Sequence, residues 1–199
     1  MDKQSQILKI TRSQQGYAEY GYFLSKGIHP RDLKKAVDEN ILIKIKKGLY
    51  RLTDIPASSY RGFIDVSFAV TGGVICLLSA LEYHGLTTFN PSVVSLAIRR
   101  TSRSPQINFP PVELYRFSHD QYEAGISRIK IGPHTVAIYS AEKTICDCFR
   151  YRNKLGADVA KEGLSEYLKL KNSNVDKLLE YAAICRVKPM LDTWLRAMT

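Results

Sequence analysis

The residues best suited to chemistry are the four cysteines, Cys76, Cys146, Cys148 and Cys185. Zinc needs thiolates converging on one tetrahedral ion, usually from C-x-x-C pairs, whereas the closest pair here is Cys146-Asp147-Cys148. On a helix, residues two apart are rotated by about 200°, so these thiols cannot share an ion. Each sits among apolar neighbours (Ile75-Cys76-Leu77, Ile145-Cys146), where a thiol packs as a small hydrophobe. Ser140-Ala141-Glu142-Lys143 matches S-x-x-K, but the partner elements S-D-N and K-T-G are absent. Ser140 is explained instead as a helix N-cap. There is no G-x-S-x-G, H-E-x-x-H or P-loop, and Thr71-Gly72-Gly73 lacks the glycine spacing of a dinucleotide site. His29, His84, His119 and His134 form no local ligand pair, and Asp65, Glu113, Asp120 and Asp147 show no spacing that marks a nuclease centre. No catalytic residue, cofactor or metal is expected.

The basic residues carry the stronger signal. The chain has 29 Lys and Arg against 19 Asp and Glu, a formal net charge of +10. Residues 1–55 hold 11 basic and 6 acidic groups, a density of positive charge more than twice that of the remainder. Such an excess attracts polyanions, nucleic acid first.

The elements that must position these charges follow from periodicity. Residues 3–13 predict a short amphipathic helix with Ile7, Leu8 and Ile10. Residues 18–26 predict a second helix, with Tyr20, Phe23 and Leu24 on one side and Gly27 as its C′ residue. A tight turn leads to a third helix at 30–39, opened by Pro30, with Leu33, Ala36 and Val37 at i, i+3, i+4. Arg31, Lys34 and Lys35 fall off that apolar face. Ile41, Ile43 and Ile45 then recur at period two with Lys44 and Lys46 opposite, Lys47-Gly48 turns, and residues 49–53 return as a strand. Three helices followed by a basic hairpin is the order of a winged helix-turn-helix. In that motif the third helix enters the major groove by its N-terminal end. Arg31 is therefore the candidate base contact, with smaller contributions from His29 and Asp32. Lys34 and Lys35 are candidate phosphate contacts, and the hairpin adds Lys44, Lys46, Lys47 and Arg51 as DNA-binding candidates, its Lys46-Lys47-Gly48 tip short enough to reach a minor groove or the flanking backbone.

Thr53-Asp54-Ile55-Pro56-Ala57-Ser58-Ser59 reads as a boundary, giving a DNA-binding domain at 1–55 and a C-terminal domain at 56–199. In the latter a helix is predicted at 74–84 and strands at 92–99, 112–117, 126–131 and 135–139. Helices are predicted at 141–152, 158–170, 175–184 and 189–198. The fold class is α+β. Two further clusters, Arg99, Arg100 and Arg103, and Arg150, Arg152 and Lys154, are candidate additional phosphate contacts. No run of eighteen apolar residues predicts a membrane span, and the start Met1-Asp2-Lys3-Gln4-Ser5-Gln6 lacks a signal-peptide pattern. A cytoplasmic location is expected, with no membrane partner.

Ile45-Lys46-Lys47-Gly48-Leu49-Tyr50-Arg51-Leu52 resembles the end of the winged domain of AbiEi-type antitoxins. Val136-Ala137-Ile138-Tyr139-Ser140-Ala141-Glu142-Lys143-Thr144-Ile145-Cys146-Asp147 resembles that family's strand and following Glu-Arg-Thr…Asp helix, with Lys143 where the family often has Arg. Gly156-Ala157-Asp158 leading to Tyr167-Leu168 resembles its next helix. The resemblance implies an antitoxin that represses its own operon at inverted repeats and counteracts a nucleotidyltransferase-like toxin, without a stable toxin complex. Lys46, Lys47 and Arg51 in the wing and Glu142, Lys143 and Asp147 in the later helix carry over. The residues themselves read Glu142 as a cap-region carboxylate and Lys143–Asp147 as an i, i+4 pair of a few tenths of a kcal/mol (about 0.2–0.5). Two alternatives stay open: a nuclease targeted by a winged domain, and a protein–protein adaptor.

Overall fold

The computed structural model describes residues 2–55 and 59–198 and has an α+β fold. It divides into two compact units. Unit 1 comprises Met1–Thr71, Ser104–Pro111 and Ile131–His134; unit 2 comprises Gly72–Arg103, Val112–Lys130 and Thr135–Thr199. Residues 56–58 of the expected boundary lie outside the described residues.

Unit 1 runs α1 (Lys3–Ser13), β1 (Tyr17–Glu19), α2 (Tyr20–Ser25), α3 (Pro30–Asp38), β2 (Leu42–Lys46), β3 (Leu49–Leu52) and α4 (Arg61–Ala69). Its sheet has the order β1-β3-β2, antiparallel throughout. Ile7, Ile10, Phe23, Ile28, Leu33, Ala36, Leu42 and Leu52 bury a common core, each large side chain contributing about 1.5–3 kcal/mol. The helix predicted at 18–26 is in fact a three-residue strand followed by α2, because β1 is too short to show a period and is fixed by pairing Tyr17, Ala18 and Glu19 with Arg51, Tyr50 and Leu49. The expected Ile41/Ile43/Ile45 face is also corrected. The register shifts between Lys44 and Lys46, so Leu42 and Ile45 are the buried residues and Ile43 is half-buried. A bulge adds one residue and breaks strict alternation.

Unit 2 contains β4 (Val74–Ile75), α5 (Leu77–Tyr83), β5 (Val94–Arg99), β6 (Val112–Phe117), α6 (His119–Glu123) and, but for their end residues Ile131 and His134, β7 (Ile126–Ile131) and β8 (His134–Tyr139). Then come α7 (Ala141–Arg150), α8 (Arg152–Leu155), α9 (Ala157–Leu168), α10 (Val175–Ile184) and α11 (Lys188–Met198). The sheet order is β6-β5-β4-β8-β7, with β5–β6 and β4–β8 parallel and β4–β5 antiparallel. The helix predicted at 74–84 begins as strand β4, whose pairing with β5 and β8 overrides local preference. The helix predicted at 141–152 breaks at Tyr151 into α7 and α8.

Helix α7 is the centre of unit 2, packed by α5, α9 and α10. Every residue from Glu142 to Phe149 is buried, as an enclosed helix requires. The Lys143–Asp147 pair is therefore no surface pair: its two side chains are 0% and 1% exposed, with Nζ 2.7 Å from Oδ1 and 2.5 Å from Oδ2. Lys143 Nζ also sits 4.3 Å from the Tyr139 ring centroid and 4.8 Å from that of Phe117. All four cysteines are buried and free of disulfides, and burial pushes each thiol's pKa up.

Candidate nucleic-acid interface

The turn before α3 is built by backbone geometry. Gly27 takes φ 74°, its N–H donates to Leu24 O at 3.0 Å, and Ile28 N–H donates to Phe23 O at 3.0 Å. This left-handed C′ position suits glycine. The chain then enters α3 with Pro30 in the first turn, where its missing N–H costs no helical hydrogen bond. Asp32 accepts a hydrogen bond from the His29 backbone N–H at 3.1 Å. Asp32 is half-buried and its carboxylate helps to close the helix start.

Leu33 and Ala36 turn one side of α3 into the core, leaving Arg31, Lys34 and Lys35 exposed. Lys35 Nζ lies 3.8 Å from Glu39 Oε1, with side chains 69% and 37% exposed. Such a pair is worth only about 0.3–0.5 kcal/mol and gives way readily to a phosphate. The short helix thus presents one guanidinium near its N-terminal end and two ammonium groups beyond it.

The β2–β3 hairpin turns at Lys47-Gly48, where Gly48 has φ 81° and its carbonyl accepts from Tyr20 N–H at 2.8 Å. Lys44 and Lys47 are exposed. Two expected contacts are corrected. Lys46 is half-buried and its Nζ donates to Ala69 O at 2.7 Å, capping the C-terminal end of α4. Arg51 is 2% exposed, its Nε 2.9 Å from Asp65 Oδ1 and its Nη1 donating to Leu52 O at 3.0 Å. Tyr17 OH donates to the same Asp65 oxygen at 2.7 Å. Burial pushes the Asp65 carboxyl up, against the pull of Tyr17 and Arg51. Arg51 neutralises a buried carboxylate on α4, a partner ten or more residues beyond any window that the hairpin pattern could reveal.

The second and third clusters are mixed. Arg99 pairs with Glu123 at 2.5 Å and lies 4.9 Å from the Tyr122 ring centroid. Lys154 pairs with Glu113 at 2.7 Å and lies 4.3 Å from the Tyr115 ring centroid. Arg100 and Arg103 are exposed. Arg150 and Arg152 donate to the backbone carbonyls of Cys185 and Phe149 at 3.1 and 3.0 Å.

Among the described residues no three His, Cys, Asp or Glu side chains gather as a metal site, and no helix is long and apolar enough to cross a membrane. Glu142 accepts from Tyr167 OH at 3.1 Å and lies 3.7 Å from Lys177 Nζ. Burial raises its carboxyl's pKa, but hydrogen bonds to the backbone, Ser140 and Tyr167, together with Lys177, outweigh that and hold it below the usual range. Comparison with known proteins returns no matching family model and no matching curated protein.

Proposed function

We propose that unit 1 is a winged helix-turn-helix that binds double-stranded DNA through α3 and the β2–β3 hairpin, and that the chain is a transcriptional repressor and antitoxin rather than an enzyme. The observation that carries the DNA reading is the element order α1-β1-α2-α3-β2-β3 with β3 between β1 and β2. This arrangement leaves α3 with an apolar inner side and a basic outer side. Arg31 would read a base, because a guanidinium can bond two acceptors of guanine at once. Lys34, Lys35, Lys44 and Lys47 would hold phosphates and set the register. The antitoxin reading rests on the resemblance to AbiEi-type antitoxins in the wing and in the strand leading to α7. On that reading the DNA is the chain's own promoter, with inverted repeats, and the protein counteracts a nucleotidyltransferase-like toxin without a stable complex. Arg100 and Arg103 would add phosphate grip; Arg99 and Lys154 would first have to leave their carboxylates.

The test is fluorescence anisotropy on the upstream region and on a scrambled duplex of equal length, across about 50–200 mM salt. Six to ten phosphate contacts lose roughly 10³–10⁵ in affinity over that range. A preference for the upstream region that survives added salt is the expected result. Arg31→Ala should cost about 1–3 kcal/mol at one base pair, and Lys34→Ala should reduce the salt slope by about one for all sequences. Equal binding to both duplexes would overturn the specific-repressor reading. Toxicity of the neighbouring toxin gene, relieved by this chain in trans, is the separate test of the antitoxin role.

A further inference from the structure

We propose that a hollow on unit 2, lined by Arg150, Tyr151, Arg152, Arg186 and Val187, is a site for a phosphate group. The hollow has a volume of about 380 Å³. Its three arginines come from the end of α7, the start of α8 and the residue after the C-cap of α10, so only the tertiary fold gathers them. Nothing in the spacing of Arg186 links it to the other two.

Arg150 donates one Nη1 hydrogen bond to Cys185 O at 3.1 Å and Arg152 one to Phe149 O at 3.0 Å. Each guanidinium has five donors in a rigid fork, so one bond fixes its position and leaves most of its donors for an anion. Arg99 and Lys154 are met by Glu123 and Glu113, but among the described residues none of the three arginines of the hollow has a carboxylate within ion-pair distance. Like charges lining one concavity raise its potential and draw in an anion.

Arg186 adds a second argument. It occupies the C′ position of α10 with φ 59°, its N–H donating to Ala183 O at 3.1 Å and the next N–H, of Val187, to Ala182 O at 2.9 Å. Glycine or asparagine is the usual residue in this left-handed conformation, and a long β-carbon-bearing side chain is strained there. This turn at the end of α10 is what brings Arg186 to the hollow beside Arg150 and Arg152. A tetrahedral phosphate, with two or three oxygens for planar forks, matches this set. The volume leaves room for part of the group esterified to it. That phosphate belongs either to a small phosphomonoester or to a DNA backbone, and the site does not depend on the DNA reading of unit 1.

The experiment follows the side-chain Nε–Hε resonances of the full chain by NMR at constant ionic strength. Inorganic phosphate, adenosine 5′-monophosphate and a short duplex are titrated separately. The expected result is a saturable shift at Arg150, Arg152 and Arg186, confined to these three when phosphate or the nucleotide is the titrant. Arg186→Gly, which also relieves the left-handed strain, should weaken it at least about tenfold, as loss of a charge-assisted hydrogen bond requires. Arg152→Gln supplies the same comparison should Arg186→Gly perturb the fold. Stronger binding of the nucleotide than of the duplex assigns the site to a free phosphomonoester, and the reverse assigns it to the backbone. Unsaturable shifts at every exposed arginine, or equal affinity in the variants, would overturn the site.

Discussion

Lys143 Nζ lies 2.7 and 2.5 Å from the two carboxylate oxygens of Asp147, one helical turn away, and neither side chain reaches solvent. Burial pushes the Asp147 carboxyl up, while Lys143 pulls it down and Cys185 Sγ donates to it at 3.4 Å. Each charge is tolerable inside unit 2 only because the other is there. Removing one partner from a buried pair costs about 3–5 kcal/mol, whereas replacing both by apolar groups is often neutral. Lys143→Met is expected to lose about 3–5 kcal/mol in urea unfolding, with Lys143→Met/Asp147→Leu recovering most of it. Single-variant losses below about 0.5 kcal/mol, as for an exposed pair, would contradict the burial.

Gly125 closes against this same lysine. It has φ 74°, and a Cβ built on it would stand 2.6 Å from Lys143 Cβ and 2.9 Å from Lys143 Cγ. Gly85 has a similar φ of 66° but nothing within 4 Å of such a Cβ. Both alanine variants pay for the left-handed backbone, about 1–2 kcal/mol. Gly125→Ala should cost a further ~1–3 kcal/mol through overpacking. Thermal melts of the two proteins separate these effects: equal losses would mean that Gly125 is needed for its φ alone.

Arg51 and Lys47 are near neighbours in sequence with opposite duties. Arg51→Ala removes the cation that lies 2.9 Å from the buried Asp65 carboxylate and should destabilise the fold by about 3–5 kcal/mol. Lys47→Ala removes an exposed charge, so stability should change by no more than about 0.5 kcal/mol. DNA affinity should fall for Lys47→Ala with little dependence on sequence. Denaturation and anisotropy measured on both variants check the division, and a stable Arg51→Ala protein would refute it.

Stability should also fall on mild acidification. His84 Nε2–H donates to Tyr139 O at 2.8 Å. Burial lowers the His84 pKa from its ordinary 6.5, only partly opposed by that hydrogen bond, and His134 is lowered for the same leading reason. Below about pH 6.5 the unfolded chain binds protons that the folded chain resists, so ΔG of unfolding declines as the pH drops towards the folded-state pKa values. His84→Asn should flatten this slope without abolishing it, because His134 remains. An unchanged slope in urea titrations between about pH 7 and pH 5 would exclude His84 as a source.

Local pattern determined much of this protein. The apolar spacing of Leu33 and Ala36 fixed the inner side of α3 and hence the exposure of Arg31, Lys34 and Lys35. The strands at 112–117 and 126–131 and the helix at 175–184 were legible to the residue, the strands as short runs rich in apolar and aromatic residues and the helix from its apolar spacing after a cap. Asn174 shows why: its side chain accepts from Lys177 N–H at 2.9 Å, a signal contained within four residues.

What only the tertiary structure decided is where charged side chains end up. Arg51 looked like one more cation of a basic hairpin until α4 brought Asp65 beside it. Lys46 was withdrawn by the carbonyl end of the same helix, and Lys143–Asp147 by three helices closing around α7. Arg186 joined Arg150 and Arg152 only when the end of α10 met the end of α7. Periodicity reports which face of an element is apolar, a property of neighbouring residues. The partner of a buried charge comes from another element, and desolvation makes that partner a requirement of the fold rather than of the local sequence.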